Sequence, residues 1–220
     1  MRVLGIESSG TRGGVALLES GQVRGSRFFE KGMVHGREIA PSIKSLLEEL
    51  RWTPDALDLI VCDIGPGSYT GLRVGLAAAK GLALALARPL LGVSSLDAMA
   101  EAARDRARVL CPAMDAKWEQ IYGAVYVDGR RTTDYLAEKP DAFAARVPKD
   151  AFVIGDALDQ YGGLFRDIVR GPRELWDPRP ETVALLGQRL HEQGVRHDAA
   201  TLAPLYLRPT EAEIKFGKKT

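Results

Sequence analysis

The chain has 220 residues, of which 45% are hydrophobic and 27% charged, and its net charge at pH 7 is +1. This composition is typical of a globular protein, and the length is enough for one large domain or two small ones. The balance of charge argues against a dedicated nucleic-acid binder, and the most apolar window, 74–93, contains Lys80 and a proline, which argues against a membrane span. No secretory signal precedes the first strand, and Cys62 and Cys111 lie in apolar runs, so we expect a cytoplasmic protein with buried thiols.

The first half of the chain is predicted to form an α/β lobe built on a mixed sheet. Hairpin turn residues separate the second strand from the third, and apolar residues at helical spacing mark the first helix. The predicted elements in chain order are strands at 3–6, 14–19 and 22–29, a helix at 35–50, a strand at 57–62, a helix from 68 toward 89, a strand at 90–93 and a helix to about 104. This order of strands and helices favours a layered α/β architecture.

The second half begins as the first does. A strand at 109–114 ends at Asp115, just as the first strand ends at Glu7, and a further strand resumes seven residues after each acid. Asp128-Gly129 then supplies a hairpin turn that corresponds to Ser20-Gly21. We interpret this as an internal duplication that gives two lobes, at 1–104 and 105–220, of which the second is reduced.

The stretch 65–83 (GPGSYTGLRVGLAAAKGLA) organises the first lobe. Ser68 is expected to cap the helix that starts there. A small residue recurs at every fourth position of this helix, and such positions share one face. Glycine inside a helix costs roughly 0.5–1 kcal/mol relative to alanine, so the stripe predicts that another backbone packs closely against it. The stripe consists of Gly71, Gly75, Ala79, Ala83 and Ala87.

The glycines that precede this helix also suggest a phosphate-binding loop, because backbone N–H groups at a helix N-terminus bind anions. The spacing from Gly65 and Gly67 to Gly71 does not match the dinucleotide fingerprint, and no Gly-Lys-Ser/Thr follows as in a P-loop. A tight turn that permits close packing is therefore favoured over an anion site.

Two acids are candidates for a nucleotide–magnesium site. Glu7 is followed by a loop that contains Ser9 and Thr11, and Asp115 stands at the corresponding place in the second lobe. The alternative is that both acids cap turns or pair with basic side chains, and Lys117 is bulky and basic where a phosphate would enter. The rival function carried by this site is an ATP-dependent small-molecule kinase.

Other chemistry finds little support in the residues. The three histidines have no metal-ligand spacing, and no serine lies in a Gly-x-Ser-x-Gly context, so neither a metallopeptidase nor a serine hydrolase is indicated. Arg73 and Lys80 are seven residues apart on a similar helix face, where they form either a solvated edge or a pair of ionic anchors at an interface.

Stretch 65–83 resembles the signature of the TsaB (YeaZ) family. The likeness extends to GVSSL at 92–96, to MDA at 114–116 with IY at 121–122, and to PLYLR at 204–208. The resemblance implies an actin-like ATPase (ASKHA) fold, α/β, with two ribonuclease-H-like lobes built on mixed sheets of the five-stranded type. It also implies a part in forming tRNA N6-threonylcarbamoyladenosine.

Within that pathway, the resemblance implies a non-catalytic subunit that binds and activates the transferase TsaD. TsaE, an ATPase, joins the pair, and the same surface can form a homodimer. ATP or ADP and magnesium are expected only in the complex, and tRNA is contacted only indirectly. An association with an N-acetyltransferase is left open. We expect no catalytic or metal-binding residues and no membrane association.

Two departures from the family pattern argue against an independent nucleotide site. The first loop reads Glu7-Ser8-Ser9 where Asp-Thr-Ser is common, and Gly155 stands alone where active relatives have a glycine pair. We expect Gly75→Leu or Ile43→Asp to abolish binding to TsaD while the fold survives. The predicted partner interface lies on the first two helices and consists of His35, Ile39, Ile43, Leu46, Leu47, Tyr69, Gly71, Leu72, Arg73, Gly75, Leu76, Ala79 and Lys80.

Overall fold

The computed structural model describes residues 1–29 and 35–208, with the backbone alone at His35. Among the described residues, no helix combines the length and apolar character needed to cross a membrane. The strands are β1 (Arg2–Glu7), β2 (Gly14–Glu19), β3 (Gln22–Phe28), β4 (Leu59–Gly65), β5 (Leu90–Ser94), β6 (Val109–Asp115), β7 (Ile121–Gly123), β8 (Tyr126–Val127), β9 (Arg130–Arg131), β10 (Leu136–Glu138), β11 (Phe152–Ile154) and β12 (Val169–Arg170). The helices are α1 (His35–Leu50), α2 (Tyr69–Ala85), α3 (Ser95–Ala102), α4 (Pro140–Arg146), α5 (Ala157–Tyr161) and α6 (Pro180–Glu192).

The first sheet has the strand order β3-β2-β1-β4-β5. Strands β1, β2 and β3 form an antiparallel meander, whereas β1, β4 and β5 run parallel and are connected through helices. Because β1 and β4 are parallel neighbours, the residues at their carboxyl ends meet at one edge of the sheet. That edge holds the first candidate site.

The second sheet repeats this topology and confirms the duplication. Its order is β10-β7-β6-β11-β12, and the short β8–β9 hairpin adds to β6. Strand β6 pairs antiparallel with β7 and parallel with β11, as β1 pairs with β2 and β4. The second lobe is indeed reduced, because α5 (Ala157–Tyr161) stands where the first lobe has the long helix α2.

Alternate residues of the first sheet face two separate cores, as the two-residue period of a strand requires. Leu4 and Ile6 pack with α1 and α2 on one face, where Cys62 is also buried. Val3 and Val61 pack on the other face against Val183 and its neighbours from α6. Cys111 is buried in the second lobe, and both cysteines are free thiols, as expected.

The C-terminal helix returns to the first lobe. Helix α6 packs on β1, β2 and β4, although it follows the strands of the second lobe in sequence. Conversely, Leu96 and Met99 of α3, which belongs to the first half of the sequence, are buried in the core of the second lobe. Strands β1–β5 thus form one sheet and β6–β12 the other, but each lobe takes a helix from the other half of the chain.

Candidate functional site

Glu7 lies at the carboxyl end of β1, and its carboxylate is bound by the loop that follows. Glu7 Oε1 accepts hydrogen bonds from the backbone N–H groups of Ser9, at 2.6 Å, and Gly10, at 2.9 Å. The Ser9 hydroxyl lies 2.7 Å from the same oxygen. The side chain is fully enclosed, with 1% exposure. Glu7 therefore closes its own turn, and its acceptor oxygen points into the protein.

Asp63, at the end of β4, is the buried partner of Glu7. Ser9 Oγ is 2.8 Å from Asp63 Oδ2, and Asp63 Oδ1 accepts from the Gly65 N–H at 2.6 Å and from the Ser95 hydroxyl at 2.7 Å. A hydroxyl carries a single proton, so Ser9 cannot donate to both carboxylates. We infer that one carboxyl of the pair is protonated. Asp63 was not among the residues predicted for the site, although it follows a buried strand as Glu7 does.

The pKa values agree with a shared proton. Desolvation by burial, followed by the charge of Asp63, raises the pKa of Glu7 from its ordinary value of 4.5 to about 8. Desolvation likewise raises the pKa of Asp63 to about 6, although four hydrogen bonds to its carboxylate oppose the shift. Burial thus favours the protonated form of both carboxyls, and the pair holds a proton at neutral pH.

The glycines of α2 accommodate the same loop. A Cβ at Gly71 would lie 2.0 Å from the Ser8 carbonyl oxygen, and a Cβ at Gly75 would lie 2.0 Å from Ser8 Oγ. The Ser9 carbonyl also accepts a hydrogen bond from the N–H of Ser68, the residue that caps α2, at 2.9 Å. The predicted close approach of a backbone is therefore real, but the backbone belongs to the β1–β2 loop of this chain.

In the second lobe, Asp115 is occupied by a neighbouring lysine. Lys117 Nζ lies 2.6 Å from Asp115 Oδ2, and the Lys117 N–H donates to Asp115 Oδ1 at 2.8 Å. Asp156 Oδ1 accepts from the Asp115 N–H at 2.7 Å, and burial raises the pKa of Asp156. Thr11, in the first loop, is exposed, and its hydroxyl donates to Asp177 Oδ1 at 3.3 Å.

These contacts do not fit a nucleotide with its magnesium ion. The loop N–H groups that would cradle a phosphate already bind Glu7, and the Lys117 ammonium covers Asp115. Among the residues that the structure describes, no group of three His, Cys, Asp or Glu side chains could hold a metal ion. Of the four nucleotide-site candidates, Glu7, Ser9 and Asp115 are engaged by groups of this chain, and Thr11 lies beside Asp177.

Most of the predicted partner interface is core. The apolar face of α1 packs on the first sheet, because those side chains cover Leu4, Ile6 and Val15. The small residues of the stripe that lie in α2 are buried, and Gly71 and Gly75 face Ser8. Ala87, the last residue of the predicted stripe, lies beyond the end of α2 and is exposed. The structure buries the following predicted interface residues within the chain itself: Ile39, Ile43, Leu46, Leu47, Gly71, Leu72, Gly75, Leu76 and Ala79. The His35 side chain lies outside the described part of the chain.

The solvent-exposed side of α2 is opposite the side that carries Gly71 and Gly75. We call the residues Tyr69, Arg73, Ala77, Gly81 and Leu84 the α2 outer face; they recur at helical spacing and all are exposed. Leu84 has 85% exposure, and a Cβ built at Gly81 meets no atom within 4 Å. Tyr69 and Leu84 thus expose large side chains to solvent on this face, where an amphipathic helix ordinarily carries polar ones.

A C-terminal segment borders one end of the α2 outer face. The Arg73 guanidinium lies 4.0 Å from the centre of the Tyr69 ring, and Arg73 Nε donates to the Tyr206 hydroxyl at 2.9 Å. Further along the helix, Lys80 Nζ donates to the carbonyl of Ala200 at 3.3 Å. Lys80 is thus anchored within the chain, whereas Tyr69 and Tyr206 are each 41% exposed.

The duplicated sheets, with an acid at the end of each first strand, define a two-lobed protein of the actin-like ATPase fold. Component A of the (R)-2-hydroxyglutaryl-CoA dehydratase of Acidaminococcus fermentans shares this fold, with a TM-score of 0.52 over 86% of this chain and 98% of that one, at 12% identity. At that identity, the likeness concerns the fold alone.

Relatives with higher sequence identity identify the family as well as the fold. The family described as "TsaD: tRNA N6-adenosine threonylcarbamoyltransferase" matches residues 32–216. The tRNA threonylcarbamoyladenosine biosynthesis protein TsaB of Escherichia coli is 33% identical over the full length of both chains. A Pseudomonas aeruginosa structure, described as similar to the peptidase YeaZ, has a TM-score of 0.83 at 27% identity and covers 94% of this chain and 99% of that one. The chain belongs to the TsaB (YeaZ) family, within the group of TsaD-like domains.

Proposed function

We propose that this chain is a non-catalytic subunit that binds and activates a TsaD-class transferase in the formation of tRNA threonylcarbamoyladenosine. The observation that carries the proposal is the α2 outer face, where Leu84 is 85% exposed and Gly81 is open to close approach. The name of the E. coli relative supports the pathway.

The lack of independent catalysis is proposed from the state of the acids. Glu7 and Asp63 are enclosed and bonded to their own loops, and Asp115 is paired with Lys117. In this proposal, nucleotide and magnesium are bound only in the complex, the partner carries the reaction and contacts the tRNA, and TsaE joins the same assembly.

The α2 outer face has the physical properties of a helix-docking surface. Gly81 and Ala77 lack bulk, so a second helix can approach the backbone closely, and burial of Leu84 contributes roughly 1.5–3 kcal/mol. At the N-terminal end of the face, Tyr69 and Arg73 are of the residue types enriched among those that dominate binding energy.

The test uses two substitutions on this face that the isolated chain tolerates. Gly81→Leu adds a side chain where nothing lies within 4 Å, and Leu84→Lys changes an exposed residue. We expect each variant to fold normally and to bind purified TsaD from the same organism about 10–100-fold more weakly in calorimetry, the loss expected for about 1.4–2.8 kcal/mol. Leu164→Lys, at a residue of the second lobe with 41% exposure, is the matched control and should bind normally.

These substitutions replace Gly75→Leu and Ile43→Asp, which would disrupt the monomer because both positions are buried. Sedimentation of the isolated chain and both variants tests whether the same face forms a homodimer. Normal binding of TsaD by Gly81→Leu and Leu84→Lys would contradict the docking assignment.

A further inference from the structure

A crevice of about 250 Å³ lies at the junction of the two lobes, and none of the candidate residues described above lines it. Its walls come from the first lobe through α3, from the second lobe through the β8–β9 hairpin, and from α6. The volume is just below the range of about 300–1,000 Å³ that is usual for small-molecule sites. A ligand the size of a small aromatic acid would fill it.

The interior of the crevice is apolar. Val93 and Ala100 contribute from the first lobe, and Leu186 and Leu190 contribute from α6. The Tyr126 ring is 4% exposed and adds an aromatic wall. Water in contact with such surfaces is displaced favourably by a hydrocarbon or aromatic group.

The acids of the crevice already have partners. Asp97 Oδ1 accepts from the Tyr126 hydroxyl and Oδ2 from the Tyr135 hydroxyl, each at 2.6 Å. Glu101 Oε1 is bound by Arg189 at 2.5 Å. Neither carboxylate is therefore free to select a cationic ligand.

Two arginines retain donor capacity. Arg104 contacts Glu101 at 3.5 Å and is 49% exposed, and Arg131 Nε lies 4.0 Å from Asp97. Arg131 also donates one N–H to the Thr133 carbonyl at 2.6 Å. Each guanidinium has five N–H groups, so most of them remain available, and the planar fork suits a carboxylate.

We propose that this crevice binds a small carboxylate with an apolar or aromatic body. The body occupies the pocket between Tyr126 and the leucines of α6, and the carboxylate is bound by Arg131 and Arg104. Because both lobes and α6 form the walls, the bound ligand contacts both halves of the molecule. This site is independent of the proposed partner surface.

The experiment is an NMR titration of the full ¹⁵N-labelled chain with 3-phenylpropionate. We expect saturable shifts at amides of the crevice, such as those of Ala100 and Gly129, with a Kd on the order of 1 mM for a ligand of this size. Neutral 3-phenylpropan-1-ol and plain acetate should each bind at least about tenfold more weakly, because one lacks the charge and the other the apolar body.

Variants separate the site from general surface binding. Arg131→Gln and Arg104→Gln should each weaken binding about tenfold through loss of a charge-assisted contact. Arg130→Gln, at an exposed neighbour that does not line the crevice, should leave binding unchanged. Thermal unfolding of each variant checks the fold. Absence of saturable shifts, equal binding of the alcohol, or full binding by both folded crevice variants would overturn the proposal.

Discussion

At the scale of single residues, the buried carboxyls of Glu7 and Asp63 are the most unusual feature of the chain. Among the described residues, the two carboxyls are bound by each other, by backbone N–H groups and by hydroxyls, with no cation in hydrogen-bond contact. Such a pair is tolerated only while one member is protonated, because two buried like charges repel strongly. The stability of the first lobe should therefore depend on pH.

The direction follows from the pKa of Glu7, which is raised from 4.5 to about 8. Between pH 4.5 and pH 8, the folded chain holds a proton on Glu7 that the unfolded chain releases. The contribution of Glu7 to the free energy of unfolding is therefore complete below pH 4.5 and is lost as the pH rises toward 8. Glu7→Gln should reduce this loss, because the amide imitates the protonated acid. We expect its Tm at pH 8 to exceed that of the parent by on the order of 3 °C.

The same thermal unfolding series, repeated between pH 5 and pH 8, provides the control. The gap between Glu7→Gln and the parent should narrow as the pH falls. A gap that is constant with pH, or a variant that is less stable at pH 8, would show that Glu7 is ionised in the folded state. Glu19→Gln, at a half-buried ion pair with Arg2, should show no such trend.

The sequence identified Glu7 and its loop but not Asp63. The two acids are 56 residues apart, and only the parallel pairing of β1 with β4 brings them together. An acid at the end of an apolar strand was a signal in both places. The strand order that makes them neighbours is a non-local property, and it could not be deduced from local patterns.

At the scale of an element, helix α2 carries small residues on two faces, one packed against this chain and the other open to solvent. The face with Gly71 and Gly75 receives Ser8, whereas the face with Ala77 and Gly81 is open. The sequence predicted the helix, its Ser68 cap and the close approach of a backbone. It could not determine which backbone approaches, because periodicity identifies a face and says nothing about what covers it.

Matched glycine-to-alanine substitutions distinguish the two faces. Gly81→Ala should stabilise the chain by about 0.5–1 kcal/mol, because it removes a helix-interior glycine without creating a contact. Gly75→Ala should destabilise it by about 1–3 kcal/mol, because its Cβ overlaps Ser8 Oγ. Urea unfolding at fixed pH measures both differences.

Adding Ser8→Gly to Gly75→Ala tests the cause. The double variant should recover more stability than the sum of the single effects predicts, since the two side chains compete for one space. Additive effects would mean that Gly75 is required for some reason other than its contact with Ser8.

At the scale of the whole molecule, the sheet is duplicated, and each lobe also packs against a helix from the other half of the chain. The repeated sheets were visible in the sequence as a recurring strand, acid and hairpin turn. The exchange was not visible, because the amphipathic pattern of α6 shows that it must be buried without showing which sheet it covers. Val183 and Ala184 of α6 complete the core of the first lobe, whereas Leu96 of α3 is buried in the second.

This exchange predicts that the two lobes unfold together. Trp52 lies in the first lobe and Trp176 in the second, where its indole N–H donates to the Gly171 carbonyl at 2.9 Å. Trp118, which is 71% exposed, is replaced by Phe to remove its signal. In this background, variants that keep only Trp52 or only Trp176 should lose their native fluorescence at the same urea concentration, after allowance for the stability change of each substitution.

The fragment 1–104 tests whether the first lobe can fold without α6. Without α6, the face of the first sheet formed by Val3, Leu18 and Val61 would be exposed to water. We therefore expect the fragment to lack a cooperative unfolding transition, and addition of a peptide spanning 176–195 should restore some of it. A fragment that unfolds cooperatively by itself, or two well-separated fluorescence midpoints in the full chain, would show that the lobes are independent. If Trp52 and Trp176 report the same unfolding midpoint and the fragment does not fold alone, α6 is the element that couples the unfolding of the two lobes.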